Sequence, residues 1–342
     1  MTVSDDLIKY SRQVLFTGIG EAGQRRLADS RVVIVGCGAL GSALANALVR
    51  AGVGSLRIVD RDFVEECNLQ RQMLFDEADA REALPKAVAA EQKLRAINST
   101  VRVEGVVADL TPENAEELLA ECQLILDGTD NFETRHLLND VAVKSRRPWV
   151  YGAVVGSYGI SMPIVPGQTA CLTCLLEARR EAGVEETCDT VGVISPAVNW
   201  VAAHQVSQAL QLLVGKWSWE TARLVRGDLW RNEFHASPVP RPRVECRTCA
   251  RREFVHLAGQ ARPQVTLCGR NSVQIHERDR QLDLDCLRQR LAAHGEVRNN
   301  PYLLRLRLPQ YELTLFADGR AIIRGTTDPA LARSLYARYV GS

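Results

Sequence analysis

The stretch VVIVGCGALGS, residues 32–42, decides how the rest of the chain is read. Apolar, mostly β-branched residues run into three glycines spaced G-x-G-x-x-G, at Gly36, Gly38 and Gly41, and small helix-forming residues follow. That order predicts a buried parallel strand, a tight turn at Gly36, a backbone at Gly38 bare enough for a phosphate to approach, and a helix packed on the sheet through Gly41. The first N–H groups of that helix have no partner within it and lie at the positive end of its dipole, so they face an anion. The next apolar run, LRIVD, ends in Asp60, the place for an acid that binds ribose. The pattern points to a nucleotide, and the glycines alone leave open whether it is NAD or ATP.

The chain of 342 residues has room for one large α/β domain and something smaller, and 46% hydrophobic residues are ample for a core. A net charge of +1 gives no general reason to invoke nucleic acid or membrane as a partner. No basic segment followed by an apolar one opens the sequence, so a cytoplasmic protein is expected. Two long uncharged stretches, Trp149 to Leu176 and Thr190 to Gly215, are interrupted by Gly, Pro, Asn, His and Gln in ways that do not suit hydrocarbon. They read as a buried strand pair and a helix inside the core or a subunit interface.

Short apolar runs alternate with amphipathic stretches. Strands are expected at Val32–Val35, Leu56–Val59, Val101–Val106, Leu124–Leu126 and Trp149–Ala153, with helices between them, one opening at TPEN with Thr111 as N-cap and Pro112 in its first turn. Strands separated by helices imply a mostly parallel sheet covered on both faces. Beyond it come paired strands joined through Gly156 to Gly159, a cysteine-rich loop, the uncharged helix and the Pro-rich ASPVPRPRV. From about residue 262, SVQI, LLRLRL, ELTLF and AIIRG read as strands, with an Asp318-Gly319 turn and helices at Leu282–His294 and Asp328–Tyr339.

The residues after Asp60 favour one nucleotide over the other. The segment RDFVEECNLQRQ carries Asp62, Asn68, Gln70 and Arg71; Lys86 follows Pro85; LILDGTDNFETR carries Asp127, Asp130 and Asn131. Hydride transfer needs a nicotinamide pocket and a proton donor, and these segments offer no obvious one. A triphosphate needs converging cations and a carboxylate for Mg²⁺, and Arg71, Lys86 and Asp130 are the right types near strand ends. Singly, Arg71 and Lys86 read as solvated surface charge and Asp130 as a helix cap; together with the glycines they favour ATP.

Ten cysteines without an export signal read as metal ligands, catalytic thiols or fillers rather than disulfides. Cys171-Leu-Thr-Cys174 and Cys246-Arg-Thr-Cys249 are two matched C-x-x-C pairs, which complete a closed tetrahedral, structural Zn²⁺ site. Cys37, Cys67, Cys122 and Cys286 read as small fillers, and Cys268 as a buried strand-end thiol. The expected fold class is therefore α/β: a Rossmann-like, mostly parallel sheet with additional antiparallel strands, a structural zinc site and a small α+β C-terminal appendage.

YSRQ, GCGALGS, DRDFVEECNLQRQ, PKA, DGTDNFETR, the two C-x-x-C pairs and TCDTVGV together resemble the E1-like ThiF/MoeB/HesA family over roughly residues 8–252, most of all its thiazole-biosynthesis branch. The resemblance implies adenylylation of the C-terminal glycine of a ubiquitin-like sulfur carrier ending in Gly-Gly, with ATP and Mg²⁺. It implies that the backbone near Ala39, with Asp60, Asn68 and Arg71, holds the nucleotide, that Lys86 neutralises charge, that Asp130 binds Mg²⁺, and that Arg12 of YSRQ reaches into a neighbouring subunit of a homodimer. Cys188 of EETCDTVGV would attack the acyl-adenylate or link to the carrier by an acyl-disulfide. The chain then divides into an arm at 1–30, an ATP-binding region at 31–155, a carrier-binding, crossover and zinc region at 156–255 and a small domain at 262–342. The tail departs from the rhodanese domain of some relatives, so sulfur would arrive from a separate cysteine desulfurase or rhodanese. A MoaD-like carrier, an inactive E1-like scaffold and an NAD-dependent oxidoreductase are the alternatives.

Overall fold

The computed structural model describes residues 5–177, 192–260, 266–268, 271–276 and 281–341. The chain forms two compact units, Met1–Arg81 with Pro85–Ala261, and Glu82–Leu84 with Arg262–Ser342.

The first unit is built on one eight-stranded sheet: β1 (Arg31–Val35), β2 (Ser55–Asp60), β3 (Arg102–Val107), β4 (Leu124–Asp127), β5 (Trp149–Val155), β6 (Tyr158–Ile164), β7 (Arg223–Asp228) and β8 (Glu233–Pro238). The spatial order is β3-β2-β1-β4-β5-β6-β7-β8. Pairs from β3 to β5 are parallel, and those from β5 to β8 antiparallel. The chain winds outward from β1 through β2 to β3, then returns to place β4 on the other side of β1. Such a reversal opens a crevice at the carboxyl ends of the two central strands, where ligands of open α/β sheets bind.

Burial explains the strand sequences. All four residues of β4 and the last four of β1 are buried, which is why both read as unbroken apolar runs rather than alternating ones. The uncharged stretch after residue 190 contains a helix, Ser195–Leu213, with Pro196 in its first turn and Ala197, Val201, Gln205 and Ala209 buried. Among the described residues no helix is long and apolar enough to cross a membrane. Pro238 closes β8, an edge strand whose residues are all exposed, where a missing N–H breaks no ladder.

Two expectations are corrected here. The TPEN segment does not open a helix at Thr111: the Asn114 side chain accepts from Thr111 N–H at 2.8 Å and donates to Asp109 O at 2.9 Å. These bonds close a turn, and the helix runs only over Ala115–Leu118. Cys37 and Cys122 are buried fillers, but Cys67 and Cys286 are exposed.

The second unit is a six-stranded antiparallel sheet, β9 (Thr266–Cys268), β10 (Ser272–His276), β11 (Glu296–Asn299), β12 (Leu303–Arg307), β13 (Glu312–Phe316) and β14 (Arg320–Arg324), in the order β11-β12-β13-β14-β10-β9. Val273, Leu304, Leu306, Leu313 and Ile323 share a core with Leu287 and Tyr336 of the helices Leu284–Leu291 and Pro329–Val340. Asp283 and Asp328 cap those helices through their carboxylates.

Candidate active site

The crevice between β1 and β4 is floored by glycine. Gly36 has φ +85°, and a Cβ there would stand 2.5 Å from Gly128 O. A Cβ on Gly41 would fall 1.8 Å from Gly36 O, and one on Gly128 2.4 Å from the same oxygen. The strand end, the helix start and the loop after β4 therefore touch backbone to backbone. At Gly38 the situation is opposite: the nearest atom to a built Cβ is Gln72 Nε2, at 3.9 Å. The helix Ala39–Ala51 starts there with Gly38 as its N-cap, so its first N–H groups open onto that free space.

Charge gathers around this turn. Asp60, at the end of β2 and 8% exposed, accepts from Cys37 N–H at 2.5 Å and from Asp62 N–H at 2.7 Å. Burial pushes its carboxyl pKa up. Lys86 begins the helix Lys86–Ile97, anchored by its N–H on Asp62 O at 2.8 Å. Its Nζ lies 3.3 Å from Asp62 Oδ2, and the residue is 6% exposed. Burial opposes a charge on Lys86, yet the fields of Asp62, Asp60 and Asp130 together raise its pKa above the ordinary lysine value. Lys86 is a fixed cation, not a solvated surface charge.

Asp130 is also freed from its bland alternative. The cap of the helix Phe132–Lys144 is Asn131, whose Oδ1 accepts from Thr134 N–H at 2.8 Å; Asp130 is exposed in front of it. Arg71 donates to Cys67 O at 3.0 Å and to Asn68 Oδ1 at 3.1 Å, which orders the loop after β2. Gln70 is exposed on that loop, and Arg12 is exposed on the short helix Ser11–Val14. Cys188 lies outside the described residues.

Beneath the loop after β4 lies a network that the sequence reading missed. Asp127, fully buried, pairs with Arg135 Nε at 3.0 Å, and takes Thr129 N–H at 2.9 Å and Thr129 Oγ1–H at 2.7 Å. Arg135 Nη2 donates to Thr129 O at 2.7 Å and Gly152 O at 3.2 Å, and Gln205 Nε2 donates to Asp127 O at 2.9 Å. Thr129 is thus held at all three of its polar groups, one residue before Asp130. Arg135 is the last residue of DGTDNFETR, and nothing in that string marks it as facing inward.

The four paired cysteines converge. Their sulfurs all lie within 4.8 Å of one another. Three separations are 3.8 Å (Cys171 to Cys174), 3.6 Å (Cys171 to Cys246) and 3.5 Å (Cys174 to Cys249). A tetrahedron with metal–sulfur bonds of about 2.3 Å has edges of about 3.8 Å, so the set fits Zn²⁺. Thr173 and Thr248, which occupy the same place in each pair, meet through their hydroxyls at 2.9 Å. Arg243 N–H donates to Cys174 Sγ at 3.5 Å, the outer hydrogen bond expected of a metal-binding thiolate. Asn139 accepts from Leu172 N–H at 2.9 Å, and Asp140 from the N–H groups of His256 and Leu257 at 2.9 and 3.2 Å, so the Phe132–Lys144 helix braces both cysteine segments.

Fold and site together define an α/β protein with an anion-facing helix start and a buried lysine among carboxylates at the point where its sheet reverses direction. The chain belongs to the ThiF family, whose model matches residues 10–248. It is 48% identical over 338 residues, 97% of this chain and 99% of the relative, to the sulfur carrier protein ThiS adenylyltransferase of Bacillus subtilis (strain 168). It is 36% identical over 252 residues, 73% of this chain and 92% of the relative, to the SAMP-activating enzyme E1 of Haloferax volcanii. The crystal structure of E. coli MccB with ATP has the same fold, with a TM-score of 0.61 and 22% identity over 71% of this chain and 74% of that one.

Proposed function

We propose that the protein is an ATP-dependent nucleotidyltransferase that adenylylates the C-terminal glycine of a ubiquitin-like, ThiS-type sulfur carrier. Pyrophosphate leaves, and the acyl-adenylate is ready for thiocarboxylate formation in thiamine thiazole biosynthesis. One observation carries the reading: a buried Lys86, its Nζ 3.3 Å from Asp62 Oδ2 and in the field of Asp60 and Asp130, accompanies a glycine turn with open space at Gly38. Likeness to the B. subtilis ThiS adenylyltransferase along 97% of the chain supports the same reaction.

In this reading the carrier's terminal carboxylate, already ionised near neutral pH, attacks the α-phosphorus of ATP. A carboxylate oxygen–phosphorus bond forms as the bond to pyrophosphate breaks, and no general base is needed. The obstacle is the meeting of two anions, which fixed cations offset. Lys86 and Arg71 do this, while the turn at Gly36, Gly38, Ala39 and Gly41 offers backbone N–H groups to the phosphates. Asp60 and Asn68 hold the adenosine, with Asp62, Gln70 and Asn131 bordering it. Asp130 holds Mg²⁺, which when bound spreads the negative charge of the phosphate chain. Cys171, Cys174, Cys246 and Cys249 hold a structural Zn²⁺ away from this chemistry.

A homodimer completes the site. An apolar groove of about 710 Å³ runs between the helices Ala39–Ala51 and Ser195–Leu213, lined by Ala43, Ala47, Val206 and Leu210 and edged by the exposed Phe16 and Met73. A second copy seated there would bring an Arg12 toward the neighbouring site. Cys188 would take the acyl group from the adenylate as a thioester, releasing AMP, or, charged first as a persulfide by exchange with the persulfide of the sulfur donor, would attack the adenylate through its outer sulfur to form an acyl-disulfide and release AMP. Sulfur comes from a separate cysteine desulfurase or rhodanese. A MoaD-like carrier is the second reading, and the SAMP-activating relative supports variation of partner on one scaffold.

Carrier-dependent ATP–pyrophosphate exchange with Mg²⁺ tests this. Exchange is expected with an intact ThiS-like carrier and not with one lacking its last glycine. Exchange only with a MoaD-like carrier would move the protein to the second reading. ATP binding without exchange on either carrier would leave an inactive scaffold.

A further inference from the structure

Most buried amides of the first unit are satisfied. Gln24 donates to Ala51 O at 3.0 Å and accepts from Gln13, Asn98 bonds Tyr10 and Val49 O at 2.8 Å each, Asn139 joins Leu172 and Thr173, and Gln208 joins Ser161 and Arg223. Gln72 is different. It is 3% exposed, yet its Oε1 is buried with no hydrogen-bond partner, and its amide forms no side-chain hydrogen bond among the described residues. Its Nε2 is the atom nearest to the space at Gly38.

A buried amide without partners is a standing cost to the fold, and a native chain keeps one where something else supplies the partners. Gln72 is not there for backbone reasons: its N–H is used on Asn68 O at 3.0 Å, and its carbonyl accepts from Phe75. An amide offers one donor group and one acceptor, so its ligand must present both at one place. In a nucleotide the adenine edge, with N6–H beside N1 or N7, and the junction of phosphate and ribose, where phosphate oxygens accept and a sugar hydroxyl donates, both do so; the place of Nε2 at Gly38, where the glycine motif admits a phosphate, favours the junction.

We propose that the Gln72 amide is reserved for the bound nucleotide and holds its phosphate–ribose junction as it passes Gly38. The assignment rests on the ATP-dependent reading above and adds a positioning residue that the glycine motif and the charged cluster do not contain.

The test separates the ligand's amide from the fold's. Gln72→Leu replaces an unpaired buried amide by an apolar group of similar size, so the ligand-free protein is expected to melt at the same or a higher temperature. Its affinity for ATP, measured by calorimetry, is expected to fall about tenfold, the value of roughly one hydrogen bond to a charged group. AMP should lose the same factor as ATP, because the junction is common to both. Gln72→Glu, of the same shape but with a charge that repels phosphate, should bind more weakly still. A ligand-free Gln72→Leu protein that melts lower would overturn the proposal, as would unchanged affinity, or a loss confined to ATP. If the wild-type protein binds no ATP, it is the ATP-dependent reading itself that fails.

Discussion

In the first unit one lysine, Lys86, is buried among Asp60, Asp62 and Asp130; in the second one carboxylate, Glu312, lies among Arg305, Arg307 and Arg324. The second cluster is explained by the sheet that carries it. Arg307 and Arg324 are the register partners of Glu312 on either side, and Arg305 stands one diagonal away. Its nitrogen–oxygen separations are 3.3 to 3.7 Å, and Arg307 is 60% exposed. The first cluster has no such account. Its members come from the end of β2, the loops after β2 and β4 and the start of a helix, and three carboxylates meet Lys86 and, through Asp62, Arg61 Nε at 3.8 Å. Register across the ladder accounts for that gathering of charge in the second unit. Three carboxylates at the open end of a parallel sheet suit a cation, and the Mg²⁺ proposed at Asp130 would be one.

Substitutions in the two clusters should therefore behave differently. Lys86→Met is expected to lower carrier-dependent exchange by about a thousandfold, at the upper end of what one fixed charge or donor contributes in a dry site. Retention of more than a tenth of the activity, with the fold intact by circular dichroism, would remove Lys86 from the mechanism.

A carboxylate buried without any lysine sharpens the contrast. Burial pushes Asp140 up to about 6, although the Leu257 and His256 N–H groups and the charge of Arg247 pull the other way. Because folding raises this pKa, the favourable contribution is complete below the ordinary aspartate value and is lost as pH rises through 6. Asp140→Asn keeps the acceptor and cannot ionise. It should stabilise the protein by on the order of 2 kcal/mol at pH 8 and hardly at all at pH 4, read by urea unfolding at both. An equal effect at both pH values would show that ionisation of Asp140 is not involved.

The smallest effect belongs to the second unit. Glu312→Gln is expected to cost about 1 kcal/mol and to leave exchange unchanged: Glu312 is 14% exposed, but its partner Arg307 is 60% exposed and glutamine keeps an acceptor. A fall in exchange would mean that this sheet face takes part in the reaction.

The fold around the candidate site is legible in the sequence where local rules are strict. Gly36 and Gly41 carry their meaning in their spacing, because the turn and the helix contact each exclude a side chain, whereas Gly38 borders open space. Cys171, Cys174, Cys246 and Cys249 are legible for a similar reason: two thiolates a turn apart, twice, complete one tetrahedron. What escaped depends on partners distant in sequence. Arg135 finds Asp127, Thr129 and Gly152 only once β4 and β5 lie side by side, and Gln72 meets Gly38 only when the loop after β2 folds over the turn. At Thr111 the Pro112 cue was outweighed by the reach of the Asn114 side chain. The strands Arg223–Asp228, Glu233–Pro238, Thr266–Cys268 and Glu296–Asn299 were not foreseen; the last two are short edge strands, and EVRN has a single apolar residue, Val297, too few to show an alternation.

The thirteen-residue rod Phe132–Lys144 begins beside Asp130 and is gripped in its middle, at Asn139 and Asp140, by the segments that carry the four cysteines. It is in effect a lever with its fulcrum at the cysteines. Its first turn stands about 10 Å from Asn139 along the axis, at 1.5 Å per residue, so a tilt of about six degrees moves that end by about 1 Å. Misplacement of that size can cost a reaction roughly a hundredfold. The contacts of Asn139 with Leu172 and of Asp140 with His256 and Leu257 thereby bear on the angle at which Asp130 is presented.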